Sequence, residues 1–185
     1  MSPRSSTDPG ALLATTHEVG GGLRLRLRLT RPSDAAGVCR FLEGLSSETR
    51  RRRFLAATPA IPDGIVRHFT FFDPRERLVV AATSPLEGTE AIVGLADVAH
   101  LSTGLAELAV VVADEHQGDG VGGLLTETIA WLAAQQGAAH LKAELLIENE
   151  PMLRLMERLG PTVRTTEDGS TAAYVRLPPA RRRAA

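Results

Sequence analysis

Apolar and polar residues alternate with a period of two in several stretches of the chain, and this pattern predicts β-strands. The clearest stretch is Leu23–Leu29, in which every second residue is leucine and the residues between are arginine. Apolar runs with flanking turn residues predict further strands at Arg77–Thr83, Ala91–Ala99 and Leu105–Val112. The links between these three runs are short, and short links favour antiparallel neighbours.

Helical periodicity accounts for most of the remaining chain, because apolar residues recur there every three or four positions. In chain order, the pattern predicts a helix capped by Ser33 or Asp34, helices at 48–54, 63–69 and 118–136, a strand at 140–147, a helix at 151–159, and a hairpin of 163–166 and 172–177. The strands and helices together indicate a mixed α/β sheet.

The two ends of the chain differ in composition from the part between them. Residues 1–22 are rich in Ser, Thr, Pro and Gly and end in three glycines, which is typical of a flexible leader. Residues 179–185 contain three consecutive arginines and are predicted to form a solvated basic tail. The 185 residues, of which 43% are hydrophobic, suffice for one domain with one sizeable core, and we assign it to residues 23–178.

Charge and cysteine content argue against several classes of function. The net charge of -1 gives no overall attraction to nucleic acid or to a membrane surface. Apolar runs all fall short of the roughly 18 residues that a membrane span needs. A single cysteine, Cys39, cannot form a disulfide within the chain, so we expect a reducing compartment and a cytoplasmic location. The five histidines lack metal-ligand spacing, so we expect no metal site.

The most informative segment joins the strand at Leu105–Val112 to the helix that follows. This segment runs Gln117-Gly-Asp-Gly-Val-Gly-Gly123. The first turn of a helix carries backbone N–H groups without intrahelical partners, and glycines allow an anion to approach them closely. The segment therefore predicts a phosphate-binding loop at a helix start. A P-loop is excluded, since neither Gly-Lys-Ser nor Gly-Lys-Thr occurs.

The same glycines also satisfy the spacing of a dinucleotide-binding fingerprint. Gly118, Gly120 and Gly123 fit its spacing, and Glu144 follows about twenty residues on. That fingerprint normally lies tight against its strand near the start of a parallel βαβ series. Here four polar residues intervene, and about a hundred residues of mostly antiparallel pattern come first. The dinucleotide interpretation is therefore the weaker one.

Three features follow one another along the second half of the chain. They are the Gln117-x-x-Gly120-x-Gly122 loop after the predicted fourth strand, Asn149 after the predicted fifth, and the segment Leu155–Gly160. In this order they resemble the GNAT superfamily of acetyl-CoA-dependent N-acetyltransferases. The resemblance covers roughly residues 23–177. It implies a GNAT fold with a mixed, mostly antiparallel central sheet of about six or seven strands flanked by helices, in which the fourth and fifth strands splay apart to admit the thioester.

The resemblance also implies which residues bind the cosubstrate, acetyl-CoA. The glycine loop would hold the pyrophosphate, and backbone groups of the fourth strand would hold the acetyl and pantetheine groups. The residues expected to contact the coenzyme are Val110, Val111, Val112, Gln117, Gly118, Asp119, Gly120, Val121, Gly122, Gly123, Asn149, Met152 and Met156. Asn149 can equally cap the helix that follows it. Many members have a tyrosine that protonates the leaving thiolate where this chain has Met156, so the proton must come from elsewhere or the thiolate leaves largely unassisted.

Three shorter segments narrow the resemblance: Leu45–Phe54, Ala106–Val110 and Asn149–Met152. They look like the corresponding parts of the catalytic domain of bacterial Pat-type protein lysine acetyltransferases. In that group the glutamate at Glu107 is the general base, and the acceptor is typically an active-site lysine of an AMP-forming acyl-CoA synthetase. A base is chemically useful because a lysine with a pKa of about 10.4 is neutral in only about one molecule in 2,500 at pH 7. The resemblance thus predicts direct acetyl transfer to a protein lysine, with the Val110 N–H polarising the thioester carbonyl.

Two other functions stay open on the sequence. A small-molecule amine N-acetyltransferase would favour an enclosed acidic pocket, whereas a protein substrate needs an open cleft. A coenzyme A sensor without turnover is compatible with the missing tyrosine. Many Pat-type enzymes carry a fused regulatory domain, for which the predicted single domain leaves no room. The arginine run 50–53 could contact an acidic partner or the 3′-phosphate of the coenzyme, but a charge run on a helix is more often a solvated face, which is the expectation here. The oligomeric state is open.

Overall fold

The structure is a computed structural model, and it describes residues 13, 15–86, 89–167 and 169–178, with the side chains of residues 86 and 89 excepted. Within these residues, eight strands form one sheet and five α-helices pack on it. The strands are β1 Thr16–Glu18, β2 Arg24–Leu29, β3 Arg77–Leu86, β4 Thr89–Ser102, β5 Leu105–Val112, β6 His140–Leu146, β7 Thr162–Glu167 and β8 Ser170–Arg176. The helices are α1 Ala35–Gly44, α2 Ser47–Phe54, α3 Asp63–Thr70, α4 Val121–Gln135 and α5 Glu150–Leu159.

The sheet has the strand order β1-β2-β3-β4-β5-β6-β8-β7. Neighbouring strands are antiparallel except β5 and β6, which are parallel and are connected through α4, as a parallel pair requires a crossover. The leucine and arginine alternation of β2 gives it one buried and one wet face, because Leu25 and Leu27 are buried while Arg24 and Arg26 are exposed.

Two apolar cores lie on opposite faces of the sheet. Helices α4 and α5 cover one face, where Leu125 and Ile129 of α4 are fully buried. Helices α1 and α3 cover the other face, where Leu42 and Phe69 are fully buried. Each such side chain contributes about 1.5–3 kcal/mol when it leaves water. The two cores fix both helical layers against the sheet and thereby fix the position of the segment between β5 and α4.

The structure confirms the predicted mixed, mostly antiparallel α/β sheet and adds one strand to the six or seven expected. The additional strand, β1, lies within the residues expected to be a flexible leader, and it pairs antiparallel with β2 from Thr16 to Glu18. Ordered structure therefore begins before Leu23. A three-residue strand is too short to show an alternating pattern, and it forms through pairing with its neighbour. Residues 1–12 and the basic tail 179–185 lie outside the described residues.

Two findings concern what the described part of the chain lacks. None of its helices is long and apolar enough to cross a membrane. Its His, Cys, Asp and Glu residues form no group of three or more that could hold a metal ion. The cytoplasmic location and the lack of a metal requirement stay predictions.

Gly94 lies where β4 passes beneath α4, and the space there excludes a larger residue. A Cβ built on Gly94 would lie 2.8 Å from Leu125 Cδ1 and 3.2 Å from the Val111 carbonyl oxygen. Overpacking of a dense core typically costs about 1–3 kcal/mol. We expect Gly94→Ala to lower the free energy of unfolding by about that amount, measured by urea denaturation. Gly64→Ala is the control, because no atom lies within 4 Å of its built Cβ; equal effects in both variants would contradict the prediction.

Candidate active site

Strands β5 and β6 pair over only one end of their length. The parallel ladder joins Leu105–Glu107 to His140–Lys142 and ends there. Because β5 continues to Val112 and β6 to Leu146, the two strands separate after Glu107. This is the predicted splay of the fourth and fifth strands, renumbered by one because β1 precedes them. It opens a wedge in the middle of the sheet.

A cleft of about 440 Å³ extends from this wedge along the glycine loop, a size typical of small-molecule sites. Its walls are the free edge of β5, the start of α4, and parts of α2 and α5. Ten of the thirteen residues predicted to contact the coenzyme line it: Val110, Val111, Val112, Gln117, Gly118, Gly120, Gly122, Gly123, Asn149 and Met152. The structure thus brings together residues that are separated by up to 42 positions in the chain.

The other three residues lie outside the cleft lining. Val121 and Met156 are fully buried in the core under α4 and α5, so their side chains do not face the cleft. Asp119 has its backbone carbonyl bonded to the N–H of Gly20 at 2.7 Å. Helical spacing correctly placed Met152 and Met156 on one face of α5, but it did not reveal that only Met152 reaches the cleft.

Two glycines of the loop have backbone conformations that favour glycine. Gly118 and Gly120 have φ angles of +90° and +95°, in the left-handed region. Gly120 is the N-cap of α4, and its carbonyl accepts the first helical bond, from the N–H of Leu124. The three residues before Leu124 have backbone N–H groups without an acceptor in the helix. Two of these residues, Gly122 and Gly123, line the cleft. This arrangement fits an anionic diphosphate held without charged side chains.

Side-chain and backbone contacts hold the loop at three points. The Nε2 of Gln117 donates to the Val112 carbonyl and to Thr49 Oγ1, both at 3.1 Å. The Gly20 N–H donates to the Asp119 carbonyl. The loop is therefore tied to β5, to α2 and to the residues that follow β1.

We expect Gly120→Ala to weaken coenzyme A binding about tenfold or more. An alanine in the left-handed region costs roughly 1–2 kcal/mol, and the loop relieves that strain by leaving the geometry that aims its N–H groups at the ligand. Isothermal titration with coenzyme A measures the effect. Gly137→Ala is the matched control, since Gly137 has a φ of +93° at the other end of α4. Unchanged affinity in Gly120→Ala would contradict a role for this loop.

The free edge of β5 presents backbone groups to the cleft. The Val112 carbonyl points away from β4, because it accepts from Gln117. Backbone groups alternate in direction along a strand, so the N–H and carbonyl of Val110 lie on the same edge of β5 as the Val112 carbonyl. Since β6 has already diverged at this level, this edge faces the cleft rather than a strand.

Glu107 occupies the point at which the two strands begin to separate. It pairs with Ala99 on β4 and with Lys142 on β6. Side chains alternate along a strand, so Glu107 shares a sheet face with Val111, which packs in the core under α1 and α3. Glu107 therefore lies on the opposite face from the core under α4 and α5. It is not among the residues that line the cleft.

Asp114 holds α2 beside the cleft. Its carboxylate accepts from the Ser46 N–H at 2.9 Å, from the Ser46 hydroxyl at 2.7 Å and from the Thr49 hydroxyl at 2.7 Å. Burial alone would raise the pKa of Asp114, but the hydrogen bonds from Ser46 and Thr49 outweigh it and hold that pKa below its ordinary value. The same Thr49 hydroxyl accepts from Gln117, so α2 and the glycine loop share one hydrogen-bonded network.

Asn149 caps α5 and lines the cleft. Its Oδ1 accepts from the Met152 N–H at 3.3 Å, and the residue is 8% exposed. The helix-capping role is thus confirmed, while a contact to coenzyme stays a prediction. Further along α5, Arg154 and Arg158 also line the cleft, and each is ion-paired at 3.1 Å, with Glu150 and Glu127 respectively.

The sequence of the central part of the chain matches a known family. The profile of the acetyltransferase (GNAT) domain matches residues 24–162, which is most of the chain. The chain belongs to the GNAT acetyltransferase family. This membership supports the N-acetyltransferase activity, with acetyl-CoA as cosubstrate, that the resemblance implied.

Other proteins with sequence or fold similarity place this GNAT domain near Pat-type enzymes. It is 31% identical over 157 residues to "Acetyltransferase Pat" of Mycolicibacterium smegmatis. The match covers 80% of this chain and 45% of that protein. The chain thus spans less than half of that relative's length. The GNAT domain of Streptomyces lividans PAT superposes with a TM-score of 0.79 at 28% identity, covering 88% of this chain and 96% of that one.

An acetyltransferase that acts on a small molecule also has a similar fold. The spermidine N-acetyltransferase of Vibrio cholerae, solved with CoA and spermine, superposes with a TM-score of 0.63 at 15% identity. The match covers 82% of this chain and 95% of that one. At this identity the likeness concerns the fold alone.

The GNAT domain contains a buried ion cluster that the sequence analysis did not predict. Asp97 on β4 is 5% exposed, and it accepts from Arg53 of α2 and, at 2.8 Å, from Arg77, with His68 Nε2 at 3.5 Å. Arg53 also lines the cleft and packs over the ring of Phe69. The arginine run was expected to be a solvated face, and Arg53 corrects that expectation. The available signal was Asp97, the one charged residue in the apolar run 91–99.

Burial and charge act in opposite directions on Asp97. Burial alone would raise the pKa of this carboxyl group, because the charged form is disfavoured away from water. The positive charges of Arg53 and Arg77 and the hydrogen bond of His68 outweigh burial and hold the pKa of Asp97 below its ordinary value. The cluster fixes α2 to the sheet next to the wedge.

Proposed function

We propose that this GNAT acetyltransferase transfers the acetyl group of acetyl-CoA directly to lysine side chains of a protein acceptor. One observation carries the proposal: Glu107 stands where β5 and β6 separate, on the sheet face opposite the core under α4 and α5. An acceptor amine that enters from the face of Glu107 meets a base beside the wedge. The identity to Pat over most of this chain supports a Pat-like acceptor.

Glu107 is the proposed general base. A lysine at pH 7 is almost entirely protonated, which is a handicap of roughly 4.6 kcal/mol for attack on a thioester. The Glu107 carboxylate accepts the proton of the acceptor ammonium, directly or through a water, as the new N–C bond forms. The C–S bond then breaks, and coenzyme A leaves as its thiolate.

Backbone groups supply the electrostatic part of the proposed mechanism. The Val110 N–H on the free edge of β5 is the proposed donor to the carbonyl oxygen, on which negative charge develops during attack. The proposed anion contacts of the glycine loop position the coenzyme so that the thioester reaches this edge. Met156 has no proton to donate, so we propose that solvent protonates the departing thiolate.

The acceptor that we propose to test first is an AMP-forming acyl-CoA synthetase with an active-site lysine. The experiment incubates the protein with labelled acetyl-CoA and either such a synthetase or a panel of small amines. Label on a lysine of the synthetase supports the proposal. Label confined to small amines contradicts it, and coenzyme binding without any label points to a coenzyme A sensor.

A small amine is the second candidate acceptor. Glu107 and Glu144 lie two residue levels apart on the same sheet face, and two carboxylates suit a cationic amine. The spermidine N-acetyltransferase noted above has a similar fold. The amine panel separates the two candidates, because a polyamine acceptor would be labelled at a lower concentration than a lysine-containing peptide.

A further inference from the structure

Lys142 is the only lysine of the chain. The chain has 21 lysine and arginine residues in all, and the other 20 are arginines. It forms the last β5–β6 pair together with Glu107. Paired residues of neighbouring strands lie on the same sheet face, about 5 Å apart between their Cα atoms. The single primary amine among the side chains of this protein therefore lies next to the residue proposed as the base.

The Lys142 side chain points along the sheet toward the open end of the wedge. Its Nζ donates to the carboxylate of Glu144, which lies two residues further along β6. Since β5 and β6 are parallel, this direction leads from the level of Glu107 to the level of Ala109. The next residue of β5 is Val110, whose N–H is the proposed donor to the thioester carbonyl. The ammonium group is thus displaced along β6 from the level of Glu107 toward the level at which the acetyl group is proposed to lie.

We propose that Lys142 is an acetylation site of this protein, modified within the same molecule when acetyl-CoA is bound and no acceptor is present. The proposal rests on the proposed function, because it uses the same cosubstrate and the same base. The neutral Nζ attacks the thioester carbonyl carbon, a new N–C bond forms and the C–S bond breaks. The proton of the ammonium passes to Glu107, and coenzyme A leaves as its thiolate.

The charges around Lys142 determine how readily it reacts. The groups that face it are Glu144 on its own strand, Glu107 on β5 and Tyr174 on β8. The hydrogen bond to Glu144 contributes most to a raised pKa of Lys142, and burial opposes it only in part. A higher pKa keeps the amine protonated, so the reaction within the molecule is expected to be slow. Removal of the Glu144 charge should therefore speed it.

The test uses the whole chain and acetyl-CoA without any acceptor. Intact mass spectrometry and peptide mapping then follow the acetyl group over time. We expect one acetyl group on Lys142, with a first-order rate constant that does not change with protein concentration. Glu107→Gln should lower that rate constant about tenfold or more, and Glu144→Gln should raise it about threefold or more.

Three results would overturn the proposal. They are an unmodified Lys142, modification at the same rate in Glu107→Gln, and a rate constant proportional to protein concentration, which indicates transfer between molecules. Lys142→Arg is the control that localises the label. This variant has no lysine, so an acetylated amine in it would be the N-terminal one. If an external acceptor is labelled while Lys142 is not, this proposal fails and the proposed function stands. If neither is labelled, the proposed function fails.

A second measurement needs no acetyl-CoA. Because the chain has one lysine, protein made with isotope-labelled lysine gives a single side-chain NMR signal whose titration reports the pKa of Lys142. We expect that pKa to fall in Glu144→Gln, and to fall by a smaller amount in Glu107→Gln. No shift in either variant would show that the two carboxylates do not face this amine, which would also contradict the proposal.

Discussion

Replacing Glu107 by glutamine is expected to reduce the turnover of acetyl transfer about 10²-fold or more. Glutamine has nearly the same shape but accepts no proton, so the acceptor must then lose its proton to solvent. The affinity for coenzyme A should stay nearly unchanged, because Glu107 is not among the residues that line the cleft. Steady-state kinetics with a labelled acceptor and titration calorimetry with coenzyme A measure the two quantities.

A matched control separates the loss of the proton acceptor from the loss of one negative charge. Glu167→Gln is the control for the loss of one negative charge, since Glu167 is exposed at the end of β7. Equal turnover in wild type and Glu107→Gln would remove Glu107 from the mechanism.

Replacing Asp97 by alanine is expected to lower the free energy of unfolding by about 3–5 kcal/mol, the range found when one partner of a buried ion pair is removed. Asp97 is buried and receives hydrogen bonds from Arg53 and Arg77. Without it, the Arg53 guanidinium is left without its carboxylate while 11% exposed. Urea denaturation of wild type and variant measures the difference.

A surface ion pair provides the comparison for Asp97. Glu157 lies 3.8 Å from Arg164, and both side chains are about half exposed. Exposed pairs are worth only about 0–1 kcal/mol, so Glu157→Ala should change the free energy of unfolding by less than that. Comparable losses of unfolding free energy in Asp97→Ala and Glu157→Ala would contradict the prediction that a buried ion cluster stabilises the fold more than an exposed pair.

The Asp97 contribution should also depend on pH in a defined direction. The folded-state pKa of Asp97 lies below its unfolded value, which is about 3.9. The carboxylate is then stabilised by folding, and the contribution is fully present above the unfolded pKa. It is lost as the pH falls through the folded pKa. The stability difference between wild type and Asp97→Asn should therefore shrink below about pH 4.

The elements that the sequence predicted well are those whose own pattern determines them. Leu25 and Leu27 of β2 are buried and its arginines at 24 and 26 are exposed, because side chains alternate between the two faces of a strand. The helix at 118–136 was found from its apolar spacing, although it begins at Val121, after the glycines. The splay of β5 and β6 came from the family resemblance, since no local pattern encodes the place where two strands separate.

The elements that sequence reasoning missed depend on distant partners. Strand β1 exists because β2 offers it an edge, and its three residues carry no signal of their own. The inward direction of Arg53 depends on Asp97, which is 44 positions away. The burial of Met156 depends on how deeply α5 sits on the sheet, which helical periodicity does not report.

The hydrogen bond from Gly20 to Asp119 joins the residues after β1 to the glycine loop. The coupling free energy between two linked equilibria is reciprocal. If the ordered loop strengthens ligand binding, ligand binding therefore stabilises the pairing of β1 with β2 by the same free energy. Occupancy of the cleft should thus slow amide exchange at the outer edge of the sheet. Conversely, any agent that detaches the N-terminal strand weakens ligand affinity without touching a ligand atom.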